Sequence, residues 1–135
     1  MGAWGIGVFE DDAGCDTRDE IADAEDLVAE LERRLRRVVD ADADEYLEYD
    51  DCFDALVPAT IVDAYVNGTS QEKLEEFRTQ HLHVDLRGLM ALAAAAVGRV
   101  LQPKAEIHEL WAENEDDYPK WKASLESLRS RLSVV

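Results

Sequence analysis

Hydrophobic positions along most of the chain recur at intervals of three and four residues, the spacing that gathers side chains on one face of an α-helix. Thr17-Arg-Asp-Glu20 has the spacing of a capping box, so a long first helix is predicted to begin at Thr17. Alternation with a period of two occurs only weakly, between His81 and Leu86. The pattern therefore predicts an all-α fold, in which the apolar face of the first helix consists of Ile21, Ala24, Val28, Leu31, Leu35 and Val38.

A second helix is predicted from Asp50 or Asp51 to Val66. Asn67-Gly68 supplies its stop signal, because glycine readily adopts the left-handed conformation that ends many helices. Pro58 lies inside this span and lacks a backbone N–H. We therefore expect a kink, or a break with a new turn starting at Pro58.

Four further helices are predicted in the rest of the chain. Ser70 is expected to cap a short third helix whose Leu74 and Phe77 face inward. Asp85 is expected to cap helix 86–101, which is apolar on nearly every side and is therefore predicted to lie at the centre. The last two helices are indicated by the apolar positions Ile107, Leu110 and Trp111, and by Pro119 followed by Trp121, Leu125, Leu128 and Leu132.

Together these elements predict one domain over residues 1–135, a compact bundle of about five to six helices. The first nine residues contain three of the seven glycines and are predicted to form an extended segment packed on the bundle. Trp4 and Phe9 are its expected anchors. Both are expected to be buried, together with Trp111 and Trp121.

The chain carries 31 acidic and 14 basic side chains, a formal net charge of -17 in 135 residues. Such a charge repels a phosphate backbone and argues against direct nucleic-acid binding. An apolar content of 47% excludes a disordered acidic chain. The sequence has no run of about 18 apolar residues and no basic and apolar leader. The expected protein is cytoplasmic, with no membrane association.

Two patterns of possible ligand residues are incomplete. Gly5-Ile-Gly7 is a fragment of a phosphate-binding loop in which Glu10 replaces the third glycine. Asp40, Asp42, Asp44 and Asp51 have the spacing of calcium ligands, but Glu45 occupies the position that requires glycine. No cofactor is predicted from either pattern, and loose binding of a divalent cation by the acidic stretch stays open.

The sequence gives only weak indications of a metal site formed by histidines or of a catalytic site. His81, His83 and Asp85 could face one side of an extended segment, with His108 as a further ligand, but ordinary histidines at helix boundaries are the preferred interpretation. Asp63 is the acid whose pKa burial would raise, although a solvent-facing Asp63 is expected. No catalytic set is predicted, and the two isolated cysteines are expected to be free structural thiols, Cys15 and Cys52.

Two separated blocks carry a family resemblance. The opening reads Met1-Gly-Ala-Trp-Gly-Ile-Gly-Val-Phe-Glu-Asp-Asp12, and a later block reads Glu106-Ile-His-Glu-Leu-Trp-Ala-Glu113, followed by Tyr118-Pro-Lys-Trp121. They resemble the opening Gly-Ala-Trp-Gly-x-Gly-x-Phe-Glu and the C-terminal Glu-Leu-x-Glu-Leu-Trp-x-Glu of a bacterial family, domain of unknown function 4259. The resemblance implies no activity, cofactor or catalytic residue.

The acidity is regional. Between Glu10 and Asp54 there are 19 acidic residues and five arginines, whereas the other 90 residues contain 12 acidic and nine basic ones. In the centre of this region, Tyr46, Leu47, Tyr49 and Phe53 alternate with carboxylates, a composition suited to an electrostatically steered protein interface. The predicted partner-binding residues are Asp42, Asp44, Glu45, Tyr46, Glu48, Tyr49, Asp50 and Asp51.

The leading hypothesis is a non-enzymatic module that binds a basic protein, in an immunity- or antitoxin-like role or as a mimic of nucleic acid. The alternative is a module in which a divalent cation or another ligand orders residues 40–51. A solvated loop whose aromatic side chains pack on the bundle is a third interpretation. The sequence does not indicate the oligomeric state.

Overall fold

The computed structural model describes residues 5–42, 44–69 and 71–133. No β-strand occurs in these ranges, and the predicted all-α fold is confirmed. The described residues contain two 3₁₀ turns, Glu72–Leu74 and Arg87–Leu89, and seven α-helices: α1 (Asp12–Ala22), α2 (Leu27–Val39), α3 (Tyr49–Asn67), α4 (Glu75–Gln80), α5 (Met90–Val100), α6 (Glu106–Ala112) and α7 (Tyr118–Leu132).

The prediction of a single first helix beginning at Thr17 is wrong, because two other acids cap two shorter helices. The Asp11 carboxylate accepts a hydrogen bond from the Ala13 N–H at 2.8 Å and starts α1. Asp26 accepts one from the Ala29 N–H at 3.1 Å and starts α2. Thr17 lies within α1, where its hydroxyl donates to the Ala13 carbonyl instead of capping. This split raises the expected five to six helices to seven among the described residues.

The break between α1 and α2 also shifts the apolar face by one position. Leu27 is 4% exposed and belongs to the core, whereas Val28, the predicted core residue, is 37% exposed. Beyond the break, Leu31, Leu35 and Val38 are buried as expected. The sequence pattern therefore gives the correct inward face for most of α2 but not for its first turn.

Helix α3 begins slightly earlier than predicted, since Glu48 and Asp51 form its capping box. The predicted break at Pro58 does not occur, because the helix continues through it to Asn67. Gly68 ends the helix in the left-handed conformation, with a φ of 68°, as predicted.

Helix α3 is the centre of the molecule. Every residue from Cys52 to Ala64 is buried, and α3 contacts α1, α2, α5, α6 and α7. Helix α5, the element expected at the centre, packs against α2, α3 and α7 but leaves Ala91 and Ala95 exposed. These tertiary contacts also explain why α3 continues through Pro58, because its buried side chains hold the helix in place.

The remaining predictions concern helix ends and anchors. Leu74 and Phe77 are buried as expected, but the proposed cap Ser70 lies outside the described residues. Asp85 accepts a hydrogen bond from the Arg87 N–H but does not cap helix 86–101 as predicted, because a 3₁₀ turn follows and α5 begins at Met90 with Leu89 as its N-cap. Pro119 lies in the first turn of α7, as predicted.

Phe9 joins the N-terminal segment to the bundle. It is 3% exposed, and Trp111 and Trp121 are also buried, whereas Trp4 lies outside the described residues. At Gly14 a Cβ atom would come within 2.0 Å of the Val8 carbonyl oxygen. The N-terminal segment therefore lies so close to α1 that only glycine fits at this position. None of the described helices has the length and hydropathy needed to cross a membrane.

Candidate acidic docking surface

The predicted partner-binding residues lie in the connection from α2 to α3 and in the first turn of α3. We call them the acidic surface, consisting of Asp42, Asp44, Glu45, Tyr46, Glu48, Tyr49, Asp50 and Asp51. All are exposed except Tyr49 and Asp51, which are half-buried. Their carboxylates are therefore accessible to a partner molecule.

Backbone hydrogen bonds hold this segment to the body of the protein. The Leu47 N–H donates to the Lys104 carbonyl at 2.8 Å, and the Leu47 carbonyl accepts from the Glu106 N–H at 2.8 Å. Leu47 is 4% exposed, and the Tyr49 N–H donates to the Glu106 carboxylate at 3.1 Å. The backbone of the segment is thus fixed at its middle while the acidic side chains on either side face solvent.

The neighbouring basic side chains bind mainly backbone atoms of this segment. Arg99 donates to the Glu45 carbonyl, and Lys104 lies 3.5 Å from the Asp44 carbonyl oxygen. Lys104 also pairs with the exposed Asp44 carboxylate at 3.4 Å. Among the described residues this is the only ion pair made by a carboxylate of the acidic surface. Most of its negative charge is therefore left uncompensated.

The aromatic side chains of the region divide into core and surface. Phe53 and Leu47 are buried, so they cannot serve as anchors for a partner, in agreement with the interpretation that they pack on the bundle. Tyr46 is 43% exposed, and its hydroxyl donates to Glu109 at 3.1 Å. Partial desolvation and this hydrogen bond raise the pKa of Tyr46 to about 12. Tyr46 is thus a neutral, partly exposed ring among carboxylates.

Tyr49 links the acidic surface to α1. Its hydroxyl donates to the carboxylate of Asp11, the buried cap of α1. Burial and the hydrogen bond to Asp11 raise the pKa of Tyr49, so the phenol stays protonated at neutral pH. This contact holds the first turn of α3 against the start of α1.

Arginines of α2 neutralise a different group of acids. The Arg34 side chain is 11% exposed and donates to Asp54 at 2.8 Å, with Glu20 and Glu30 as further partners at 3.1 and 3.0 Å. Arg37 also pairs with Asp54. Burial raises the pKa of Glu30, but hydrogen bonds from Arg33 and Arg34 outweigh it, and the net pKa lies below its usual value. These linked residues are called the arginine network: Glu20, Glu30, Arg33, Arg34, Arg37 and Asp54.

The candidate histidine residues do not converge. The His81 Nε2 atom lies 2.8 Å from the Ala22 carbonyl at the end of α1, and the His108 Nε2 atom lies 2.8 Å from the Tyr118 hydroxyl. Asp85 pairs with Arg87 at 2.8 Å, while His83 is exposed. His81 therefore lies at the end of α4, as expected of a histidine at a helix boundary, whereas His108 lies within α6.

The hypothesis that a divalent cation binds residues 40–51 requires their carboxylates to lie close together. Within the described part of the chain, no three His, Cys, Asp or Glu side chains are close enough together to hold a metal ion. The Asp51 carboxylate instead accepts a hydrogen bond from the Glu48 N–H in the capping box. The cation-responsive alternative would need a rearrangement of these side chains.

The expectation that Asp63 faces solvent is wrong. Asp63 is 2% exposed, and its carboxylate accepts hydrogen bonds from the Arg131 guanidinium at 3.1 to 3.2 Å and from the Asn67 amide at 2.7 Å. Arg131 lies on α7, 68 positions away, so the apolar pattern of α3 contained no signal of this partner. The pair connects α3 to α7 and has the features of a structural contact.

A family model for a domain of unknown function (DUF4259) matches residues 2–124. The chain belongs to this family. No curated protein and no solved structure matches the chain. The DUF4259 family has no assigned reaction, so membership in it does not identify a function for this chain.

Proposed function

We propose that this DUF4259 protein is a non-enzymatic interaction module that binds a basic protein through the acidic surface. The observation that carries the proposal is that Asp44 alone among the carboxylates of this surface has a cationic partner in the described residues. Unpaired carboxylates attract a basic partner from a distance and raise its association rate. They also disfavour binding to nucleic acid, whose phosphates they repel.

The fixed backbone of the segment supports the same function. Because Leu47 is held on both sides by residues 104–106, the carboxylates are presented without a large loss of backbone freedom on binding. An immunity- or antitoxin-like role towards a cationic protein, or mimicry of a nucleic acid, would use such a surface. We place this function in the bacterial cytoplasm, where the free thiols Cys15 and Cys52 would stay reduced.

Affinity capture with two matched variants tests the proposal. The surface variant is Asp42→Asn, Asp44→Asn and Glu45→Gln. The control variant, Glu72→Gln, Glu75→Gln and Glu76→Gln, removes the same number of exposed carboxylates next to α4. Each immobilised protein is incubated with an extract of the source cells at low ionic strength, and bound proteins are eluted with about 0.5 M salt and identified by mass spectrometry.

The proposal predicts that the wild type and the control variant recover the same basic protein and that the surface variant recovers much less of it. At roughly 0.5 kcal/mol for each exposed charge pair, three lost pairs weaken binding about tenfold. Recovery of no basic protein would contradict the proposal. Equal losses in both variants would also contradict it, because binding would then follow total charge alone.

A further inference from the structure

The acidic surface borders a groove made of two adjoining cavities. The larger one, of about 560 Å³, lies between α1, α2 and the start of α3. The smaller one, of about 180 Å³, lies between the end of α2 and the segment leading to α3. Arg37 and Asp51 line both cavities, so the two lie next to each other at these residues. A groove of this form can receive an extended segment instead of a single small molecule.

The larger cavity is acidic despite the arginines in its wall. Arg34 and Arg37 both pair with the buried Asp54 at the base of the cavity, and Arg34 also pairs with Glu20 and Glu30. The rim carries exposed carboxylates that form no ion pair within the described ranges: Asp12, Asp16 and Asp50. Basic side chains of a partner would find acceptors along this rim.

The smaller cavity combines apolar and acidic walls. Ala41 and the partly exposed ring of Tyr46 provide apolar surface, whereas Val38 and Leu47 lie behind them and are almost fully buried. Its remaining wall residues are the acids Glu45 and Asp51 and the cation Arg37, which pairs with Asp54. An arginine side chain matches this composition, because its stem is apolar and its planar head pairs with carboxylates and stacks on aromatic rings.

We propose that the groove binds one extended basic segment of the partner, with an arginine in the smaller cavity against Tyr46 and further basic side chains along the larger cavity. This inference rests on the proposed function and specifies the chemistry of the partner. Charge complementarity selects a basic segment over a second copy of this chain, whose net charge of -17 would oppose association. The Tyr46 ring selects arginine over lysine.

The test measures the affinities of oligoarginine and oligolysine peptides of equal length by calorimetry at low ionic strength. We expect the wild type to bind oligoarginine about three- to fivefold more tightly, the contribution of one stacked guanidinium at a partly exposed ring. Tyr46→Ala should reduce that ratio to about one, because it removes the ring on which the guanidinium stacks. Tyr46→Phe keeps the ring, loses only the hydrogen bond to Glu109, and should preserve the ratio. Asp12→Asn combined with Asp16→Asn should weaken both peptides alike.

The outcomes separate this inference from the proposed function. If both peptides bind but Tyr46→Ala leaves their affinity ratio unchanged, the arginine cavity is wrong and the acidic surface stands. If Asp12→Asn with Asp16→Asn has no effect on either peptide, the segment does not cross the larger cavity. If neither peptide binds the wild type at low ionic strength, both proposals fail.

Discussion

Helices α1 and α2 and the segment that follows them are all rich in acidic residues, yet their surroundings differ. On the helices, Arg34 and Arg37 reach Asp54, and Arg34 also reaches Glu20 and Glu30. In the segment from residue 42 to 51, the neighbouring Arg99 and Lys104 are directed mainly to backbone carbonyls. A count of charges along the sequence does not distinguish these two regions, whereas the pairing in the fold does.

The difference indicates separate roles for the two regions. In the arginine network, the mostly buried Arg34 pairs with Asp54 on α3, Glu20 on α1 and Glu30 on α2, so loss of its closest partner would leave a buried charge poorly compensated. In the acidic surface, the carboxylates remain hydrated and exert their potential on the solvent side. Substitutions should therefore affect stability in the first region and association in the second.

The largest expected effect on stability comes from Asp54→Ala. This substitution leaves the mostly buried Arg34 without its closest partner and should lower the free energy of unfolding by about 3 kcal/mol. Asp42→Ala, in the acidic surface, should change it by less than about 0.5 kcal/mol. Urea denaturation followed by circular dichroism measures both. Equal effects would remove the distinction between the two regions.

A smaller effect is expected from Glu30→Gln, and it should depend on pH. Because the pKa of Glu30 is lowered by Arg33 and Arg34, its contribution is present above the unfolded-state pKa of about 4.3 and is lost as the pH falls through the folded-state value. At pH 7 the substitution should cost about 1 kcal/mol. The difference from wild type should shrink in acid. A cost that is constant between neutral and acidic pH would show that ionisation of Glu30 is not its source.

The surface variant described above should be as stable as the wild type or more stable by about 0.5 kcal/mol, because it relieves repulsion among exposed carboxylates. Added salt should abolish the gain. Thermal unfolding at low and high ionic strength measures it. A loss of stability above about 1 kcal/mol would mean that these carboxylates have structural partners, as those of the arginine network do.

The smallest effect is expected from divalent cations. Since the carboxylates at residues 40–51 do not converge, Ca²⁺, Mg²⁺ or Zn²⁺ should raise Tm no more than sodium chloride of equal ionic strength. Differential scanning calorimetry measures the shift. A saturable increase that is lost in Asp40→Asn with Asp44→Asn would favour the cation-responsive alternative over the protein-binding function.

The sequence predicted the fold class and most helices because apolar periodicity is a local signal. The prediction of helix starts failed where acidic residues are so frequent that the capping residue cannot be recognised among them. Thr17 has capping-box spacing, but Asp11 and Asp26 cap the two helices that actually form. With acids throughout this region, the residue type alone could not show which of them would start a helix.

Long-range pairing is the second feature that the sequence could not supply. The contacts Arg34–Asp54 and Arg131–Asp63 join residues on different helices, and neither has a local pattern. The acidic surface was identified by composition, but the burial of Leu47 depended on a backbone bridge to Ala105. The exposed carboxylates were thus predictable, and the groove beside them was not.

Nuclear magnetic resonance of the isotope-labelled protein during titration with oligolysine tests the central claim most directly. We expect the largest chemical-shift changes at the backbone amides of Asp42, Asp44, Glu45 and Asp50, and we expect salt to reverse them. The amides of Glu72, Glu75 and Glu76 should shift little, although their side chains are equally exposed. Changes spread evenly over both groups, or larger at the second, would contradict a localised acidic docking surface.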